Sequence, residues 1–314
     1  FLLRYFTLAM IGGVTTGSVL IFFLKEKFHR TLFSAAIFGA ATLCAAVLFL
    51  VMLLGTWIKT SVFLAKSPFA AEVLLQLSTG FFNAERFRAS ALGFLLSGFT
   101  AFFLQLSEKY GQGVLWDFIR GKFYTPKEQE KIFMFLDVKS STTIAAQIGY
   151  PAYFRLLSDF FSDITKPVLA HSGVIYQCVG DEMVITWDLP AGFKDACAVR
   201  CFFEMENRVR ANVPLYMKKY GLVPAFKAGM HFGSVVTGEI GVLKKDIVHL
   251  GEALTTAARI QGACNHFGET LLLSEELFKA ISLPEEFEAE ALHKVSLKGR
   301  DKPATLFAVR KKEV

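Results

Sequence analysis

Residues 131–142 read KIFMFLDVKSST, and this stretch decides the fold of the C-terminal half of the chain. The short, continuously apolar run from Ile132 to Leu136 predicts a buried β-strand that ends on Asp137. Three hydroxyl residues then follow at the start of a predicted helix: Ser140, Ser141 and Thr142. Because such side chains can accept hydrogen bonds from unpaired backbone N–H groups, they predict N-capping of that helix.

The residues downstream alternate between helical and strand patterns, which predicts an α+β domain. A second helix is expected over 151–170, with an apolar face made by Phe154, Leu157, Phe161 and Ile164. Residues 173–187 predict a β-hairpin that turns at Gly180 and Asp181. The remaining expected elements are a long helix near 192–219, strands at 224–230 and 245–250, a helix over 252–265 and a final strand over 304–309.

Two aspartates therefore fall at the tips of adjacent apolar elements, Asp137 after a strand and Asp181 in a hairpin turn. Either one alone is an ordinary turn residue. Together, with a helix start between them, they indicate a different kind of site. Two carboxylates can hold hard cations such as Mg²⁺, and a helix N-terminus presents N–H groups to phosphate. The sequence thus predicts a metal–polyphosphate site.

The N-terminal part has a very different composition. The whole chain is 53% hydrophobic and 20% charged, with a net charge of +6, and residues 1–130 account for +5 of it. An acid-poor, apolar segment of this kind suits anionic lipid rather than nucleic acid, which would require a basic stripe on a polar face. Uncharged runs at 5–24, 31–58 and 89–107 are each long enough to span a bilayer.

The number of spans depends on residues 60–82, where Lys66, Pro68 and Glu72 interrupt an apolar stretch. This stretch is either a fourth span or an interfacial helix, and both alternatives stay open. A cleaved signal peptide is disfavoured because the first run is too long. We therefore expect a membrane anchor at 1–107, a connector at 108–130 with a helix starting at Thr125–Glu128, and a catalytic domain at 131–314.

Four motifs in order resemble the class III nucleotidyl cyclases. They are FLDVKSST at 135–142, VGDE at 179–182, GSVVTGEIG at 233–241, which is expected to form a loop, and GEALTTAARI at 251–260. The resemblance covers about residues 131–310. It implies a ferredoxin-like α+β catalytic domain that forms a head-to-tail homodimer, joined here to an α-helical transmembrane domain.

The resemblance also implies roles for individual residues. Asp137, Val138 and Asp181 fall at the metal site, which takes two Mg²⁺ or Mn²⁺ ions. Arg259 falls at the position that stabilises charge at the α-phosphorus of the opposite subunit's substrate, and its planar guanidinium suits phosphate oxygens. Other positions would contact the substrate: Gln177, Val248, Lys298, Ser140, Ser141 and Thr142.

Three of these positions depart from the family pattern. Thr255 replaces the asparagine that orients the ribose, and it keeps a hydroxyl but loses the amide's reach. Gln177 and Val248 replace the usual base-selecting pair. A glutamine amide can donate and accept, so it suits either purine, whereas valine supplies shape only. These residues leave the choice of base open.

The predicted function is a membrane-bound adenylyl cyclase, with its catalytic domain in the cytoplasm, that forms 3′,5′-cyclic AMP and pyrophosphate from ATP. One alternative is a guanylyl or dual-specificity cyclase that accepts GTP. Another is a catalytically weak nucleotide-binding sensor, which Thr255 favours. A transporter is disfavoured because the spans carry no charged residue in their interior. The five cysteines show no zinc-binding spacing.

Overall fold

The computed structural model describes residues 33–65, 67, 69–73, 75, 88, 91–92, 95–96, 98–100, 102–104, 106–107, 120–121, 124–242, 246–295 and 304–312. The chain divides into two compact units, Phe1–Arg120 and Gly121–Val314.

A long apolar helix, α1 (Phe33–Leu64), is the main described element of the first unit. Its segment Ala45–Leu64 has a mean hydropathy of 2.0 and no buried part, and within the described ranges it is the one helix that could cross a bilayer by length and composition. The helix coincides with the expected span at 31–58 and continues beyond it. The expected span at 5–24 lies outside the described residues. Those at 60–82 and 89–107 are described only in part, and the described residues of 89–107 are helical.

The second unit contains an α+β fold, as the sequence predicted. Its strands are β1 (Lys127–Val138), β2 (Val174–Val179), β3 (Glu182–Asp188), β4 (Phe226–Ile240), β5 (Asp246–Leu250), β6 (Leu271–Ser274), β7 (Phe287–Val295) and β8 (Ala304–Lys311). Its helices are α2 (Ser141–Ile148), α3 (Tyr150–Ala170), α4 (Leu189–Phe193), α5 (Cys197–Ala211), α6 (Val213–Tyr220), α7 (Glu252–Phe267) and α8 (Glu275–Ala280), with a 3₁₀ turn at Lys194–Ala196.

The eight strands form one mixed sheet in the order β2-β3-β1-β4-β6-β8-β7, and β5 extends the sheet from the far end of β4. Strand β1 lies between β3 and β4 and is antiparallel to both. The pair β4–β6 is parallel, which requires a crossover, and α7 lies between β5 and β6 in the chain. Strand β1 is therefore paired along both edges.

Both faces of β1 are buried between Ile132 and Leu136, which explains why this part of the strand is apolar at every position rather than at alternate ones. Ile132, Met134 and Leu136 join the large core that contains residues of α3 and α5. Phe133 and Phe135 join a second cluster that contains residues of α7. Because side chains alternate along a strand, Asp137 shares the face of Phe133 and Phe135.

Helix α7 lies directly on β4, and Gly229 makes this close approach possible. A Cβ atom on Gly229 would lie 2.1 Å from the backbone nitrogen of Gln261 and 2.7 Å from the carbonyl oxygen of Ala257. No side chain fits there unless the helix moves. The glycine thus sets the distance between α7 and the sheet.

Several expectations need correction. Residues Lys127–Glu130 belong to β1, so the helix start expected at Thr125–Glu128 is wrong. The GSVVTGEIG segment, expected as a loop, is mostly the second half of the long strand β4. The helix expected near 192–219 is broken into α4, a 3₁₀ turn, α5 and α6, with Pro214 at the start of α6. Of the expected face of α3, Ile164 is buried and Leu157 and Phe161 pack against the core, but Phe154 is 74% exposed, and Leu156 and Phe160 are buried as well.

Candidate active site

Asp137 and Asp181 lie next to each other, as the sequence predicted. Asp137 occupies the penultimate position of β1 and is paired in register with Glu182, the first residue of β3. Asp181 immediately precedes Glu182, in the two-residue turn that joins β2 to β3. Gly180 adopts φ 62° in this turn, a conformation that glycine takes at little cost. The hairpin therefore holds the second aspartate beside the end of β1.

The site is partly buried and strongly acidic. Burial raises the pKa of Asp137, a hydrogen bond from Lys227 opposes that rise, and the charge of Asp181 adds to it. Burial also raises the pKa of Glu182, followed by the charges of Asp137 and Asp181. Carboxylates that repel one another at a partly desolvated site favour the binding of a cation between them.

The oxygen ligands at this site fit a hard divalent cation that is also coordinated by substrate phosphates. Among the residues that the structure describes, no group of three or more His, Cys, Asp or Glu side chains is arranged as a metal cage. Mg²⁺ does not need such a cage, because it commonly takes one or two carboxylates and completes its shell with water and substrate phosphates. Asp137 and Asp181 match that requirement, and Val138, at the end of β1, is buried directly after Asp137.

Two donors that the sequence analysis missed bind the carboxylate of Asp137. Gln261 Nε2 donates to Asp137 Oδ2 at 2.9 Å, and Lys227 Nζ lies 3.3 Å from the same oxygen. Lys227 is paired in register with Asp137 across β1 and β4. A lysine within the otherwise apolar strand sequence FKAGM was the one available signal, since charged residues are almost never fully buried without a partner.

The hydroxyl residues after β1 begin α2, but they do not cap it as expected. Ser140 is the N-cap residue, has φ 57° and makes no hydrogen bond to the helix through its side chain. Capping residues usually adopt an extended conformation, so this left-handed backbone explains the difference. The side chain of Ser140 is exposed, Ser141 is half-buried and Thr142 is exposed. All three lie within five residues of Asp137.

Thr255 and Arg259 lie on α7, but their burial differs from that of Gln261 on the same helix. Thr255 is exposed, and its hydroxyl donates to the carbonyl of Glu252 at 3.0 Å. Arg259 is half-buried, whereas Gln261 is 7% exposed and faces Asp137. Side chains four residues apart lie on the same helix face, so Thr255 and Arg259 project together.

The expected base-selecting residues lie on β2 and β5. Gln177 is exposed, and Val248 is half-buried and paired with Gly238. Their chain neighbours bring the two strands together: the rings of Tyr176 and His249 have centroids 4.5 Å apart. The His249 backbone N–H also donates to the Tyr176 hydroxyl at 3.2 Å. Lys298 lies outside the described residues.

His249 is held as a neutral ring. Its Nδ1 lies 2.6 Å from Thr237 Oγ1, and its ring packs edge-on against Phe133 at 5.6 Å between centroids. Burial and, to a lesser extent, the charge of Lys131 lower the pKa of His249 to about 4. The ring therefore supports the β2–β5 contact without carrying charge at neutral pH.

The fold and sequence both match known proteins. The family model described as the adenylate and guanylate cyclase catalytic domain matches residues 123–310. Adenylate cyclase 2 of Rhizobium meliloti is 33% identical over 204 residues, which is 65% of this chain and 56% of the relative. The chain thus spans little more than half of that relative's length.

The solved structures that share the fold include two of adenylyl cyclases. The adenylyl cyclase CyaB from P. aeruginosa superposes with a TM-score of 0.54 at 19% identity, over 60% of this chain and 97% of that one. A bacterial light-regulated adenylyl cyclase superposes with a TM-score of 0.58 at 20% identity, over 70% of this chain and 64% of that one.

Proposed function

The chain belongs to the adenylate and guanylate cyclase catalytic domain family, and we propose that it is a membrane-anchored adenylyl cyclase. It converts ATP to 3′,5′-cyclic AMP and pyrophosphate. The observation that carries the proposal is the pair Asp137 and Asp181 at the shared end of β1 and the β2–β3 turn. The adenylate cyclase from Rhizobium meliloti supports ATP as the substrate.

In the proposed reaction the ribose 3′-oxygen attacks the α-phosphorus in line with the leaving pyrophosphate. One bond forms between that oxygen and phosphorus, and the bond from phosphorus to the bridging oxygen of pyrophosphate breaks. Two Mg²⁺ or Mn²⁺ ions, when bound, neutralise the triphosphate and make the 3′-hydroxyl more acidic. Asp137 and Asp181 would hold these ions, with Val138 beside them.

The other residues bind and orient the substrate. The first backbone N–H groups of a helix have no hydrogen-bond acceptor within the helix, so they suit phosphate oxygens. At the start of α2 these groups belong to the segment around Ser140, Ser141 and Thr142. Arg259 stabilises the charge that develops at the α-phosphorus. Gln177, whose exposed amide can donate and accept, contacts the base together with Val248, and Lys298 contacts the terminal phosphate.

The active unit is a homodimer in which each site uses both chains. Asp137 and Asp181 come from one subunit, and Thr255 and Arg259 from the other. This arrangement is supported by α7, where Gln261 is buried against the Asp137 of its own chain while Thr255 is exposed. An exposed face next to the site is available to a second copy.

Membrane attachment is proposed from the N-terminal composition. The helix segment Ala45–Leu64 has the length and hydropathy of a bilayer span, and the uncharged runs at 5–24 and 89–107 supply further candidates. We place the chain in the plasma membrane as a multi-pass protein with three or four spans, and the catalytic unit in the cytoplasm. The basic loop at 25–30 fits a cytoplasmic position when three spans are present.

The nucleotide test uses the purified full chain with ATP or GTP, and with Mg²⁺ or Mn²⁺, while cyclic product is followed. We expect cyclic AMP from ATP, and loss of product in Asp137→Ala by about 10³-fold or more, because charge stabilisation by metal is worth several kcal/mol. Preferential cyclic GMP formation would favour the guanylyl alternative. Full activity in Asp137→Ala would rule out the assigned site.

The homodimer test combines two inactive chains, Asp137→Ala and Arg259→Ala. A mixed dimer then holds one complete site, with Asp137 from one chain and Arg259 from the other. We expect activity to return to about one quarter of the wild-type value, because about half of the dimers are mixed and each has one working site. Absence of recovery in a chromatographically confirmed mixed dimer would contradict the shared site.

A second candidate function is a nucleotide-binding membrane sensor with weak turnover. It is favoured by Thr255, whose hydroxyl is already bonded to the carbonyl of Glu252 rather than extended toward a ligand. A shift of about 1 Å in a reacting group can lower the rate by about 10²-fold. Strong nucleotide binding with negligible cyclic product would support this function over the enzyme.

A further inference from the structure

The carboxylate of Asp137 is held at one of its two oxygens. Gln261 Nε2 donates to Oδ2 at 2.9 Å, and Lys227 Nζ lies 3.3 Å from the same atom. Both donors are themselves buried, with Lys227 6% exposed and Gln261 7% exposed. A buried amide or ammonium is costly to leave unpaired, so each donor depends on Asp137 as much as Asp137 depends on it.

The fold fixes both donors independently. Lys227 lies directly opposite Asp137 in the antiparallel ladder of β1 and β4. Gln261 comes from α7, which the absence of a side chain at Gly229 allows to lie against β4. Two different elements therefore bring an N–H donor to one oxygen, and the rotation of the carboxylate about its last bond is restrained.

We propose that Gln261 and Lys227 are positioning residues for Asp137, which hold Oδ2 so that Oδ1 faces the cation. The inference rests on the proposed function, in which Asp137 is a cation ligand. Groups that hydrogen-bond a ligating carboxylate orient it, and their loss typically weakens metal binding by about 10–100-fold. Neither residue is among those proposed to contact the nucleotide.

In the proposed homodimer, the same helix presents Arg259, two residues before Gln261, to the active site of the partner subunit. Helix α7 thus contributes a positioning side chain to the site of its own subunit and a charge-stabilising side chain to the site of its partner. This division allows the role of Gln261 to be separated from its contribution to helix packing.

The first experiment measures Mn²⁺ binding to the full chain without nucleotide, by electron paramagnetic resonance of free Mn²⁺. Gln261→Met removes the donor at similar volume, and Asn265→Met changes an exposed residue of the same helix. We expect Gln261→Met to weaken binding by about 10–100-fold and Asn265→Met to leave it unchanged. A folded Gln261→Met chain that binds Mn²⁺ as the wild type does would overturn the proposal.

The same binding measurement distinguishes an error in the proposed function from an error in the positioning role. If the wild type binds no Mn²⁺, or if Asp137→Ala binds it equally well, then Asp137 is not a ligand and the proposed function fails first. If Asp137→Ala loses binding and Gln261→Met does not, only the positioning role is wrong.

The second experiment is for the case in which the Gln261→Met homodimer is too unstable for the binding measurement. Gln261→Met is placed in either chain of the mixed dimer of Asp137→Ala with Arg259→Ala. In the Arg259→Ala chain it lies beside the working Asp137, and we expect the Mn²⁺ concentration for half-maximal activity to rise about tenfold or more. In the Asp137→Ala chain it has no carboxylate to position, and we expect no change. Equal effects in the two chains would overturn the proposal.

Discussion

Lys227 Nζ lies 3.3 Å from Asp137 Oδ2, and the two residues face each other across the antiparallel strands β4 and β1. The lysine side chain is 7% exposed and the aspartate side chain 24% exposed. The pair thus places a buried positive charge directly beside a carboxylate that is proposed to bind divalent cations.

Lys227→Met should lower the free energy of unfolding by about 2 kcal/mol, because it leaves a partly buried carboxylate without its charged partner. Urea denaturation of the full chain measures this change. Lys219→Met is the control, since Lys219 pairs with Asp159 at 2.6 Å but is 40% exposed, and we expect about 0.5 kcal/mol there. Equal losses in the two variants would mean that burial of the Lys227–Asp137 pair has no consequence.

Gly229→Ala should destabilise the catalytic unit by about 3 kcal/mol, because the added Cβ meets the backbone of α7 rather than a side chain that can move. Gly262→Ala is the matched control on α7 itself. A Cβ there has no atom within 4 Å, and we expect a gain of about 0.5–1 kcal/mol from the higher helix propensity of alanine. Thermal unfolding measures both changes. A melting temperature that moves in the same direction in the two variants would contradict the role of Gly229 in the approach of α7 to β4.

His249→Gln should make the protein less sensitive to acid. Burial lowers the pKa of His249 to about 4, below the ordinary value of 6.5. As the pH falls from about 6.5 toward 4, the unfolded chain binds a proton at this histidine that the folded chain does not, so stability is lost by at most ~3 kcal/mol. We expect this loss to shrink in His249→Gln.

The measurement is urea denaturation at pH 7.5 and pH 5 for the wild type, His249→Gln and His266→Gln. His266 is exposed near the end of α7, and its variant should show the wild-type pH dependence. An unchanged acid sensitivity in His249→Gln would show that the ring does not remain neutral in the folded protein.

Thr255→Asn should raise the rate of turnover by about tenfold or less, with little change in KM, because an amide reaches further than the hydroxyl that now binds the Glu252 carbonyl. Steady-state kinetics with ATP test this. Thr255→Val, which keeps the shape but removes the hydroxyl, should give no such gain. A gain of about 10²-fold or more in Thr255→Asn would favour the sensor over the enzyme.

The sequence predicted those parts of the fold that local patterns determine. The continuous apolar run of β1 and the glycine-aspartate turn after β2 were identified correctly, and they locate Asp137 and Asp181. Both features depend on neighbouring residues only, since burial on both faces and a positive φ leave a direct trace in the sequence.

The parts that were wrong or missed depend on distant residues. Gly233 and Gly238 suggested a loop, yet Gly238 pairs with Val248 and lies so near Pro126 that an added Cβ would be 3.2 Å from its ring, so tertiary contacts keep β4 extended. The pairing of Lys227 and Gln261 with Asp137 depends on strand register and on helix docking. These relationships join residues 90 to 124 positions apart and have no local signature.

Strand β1 also sets the mechanics of the catalytic unit. It starts six residues after Gly121, where the second unit begins, and runs without a break to Asp137 and Val138. Slippage by one residue would turn Phe133 and Phe135 to the opposite face and break the ladders on both edges. Slippage of this strand is therefore opposed along both of its edges, and the same pairing fixes the position of Asp137 relative to β3 and β4.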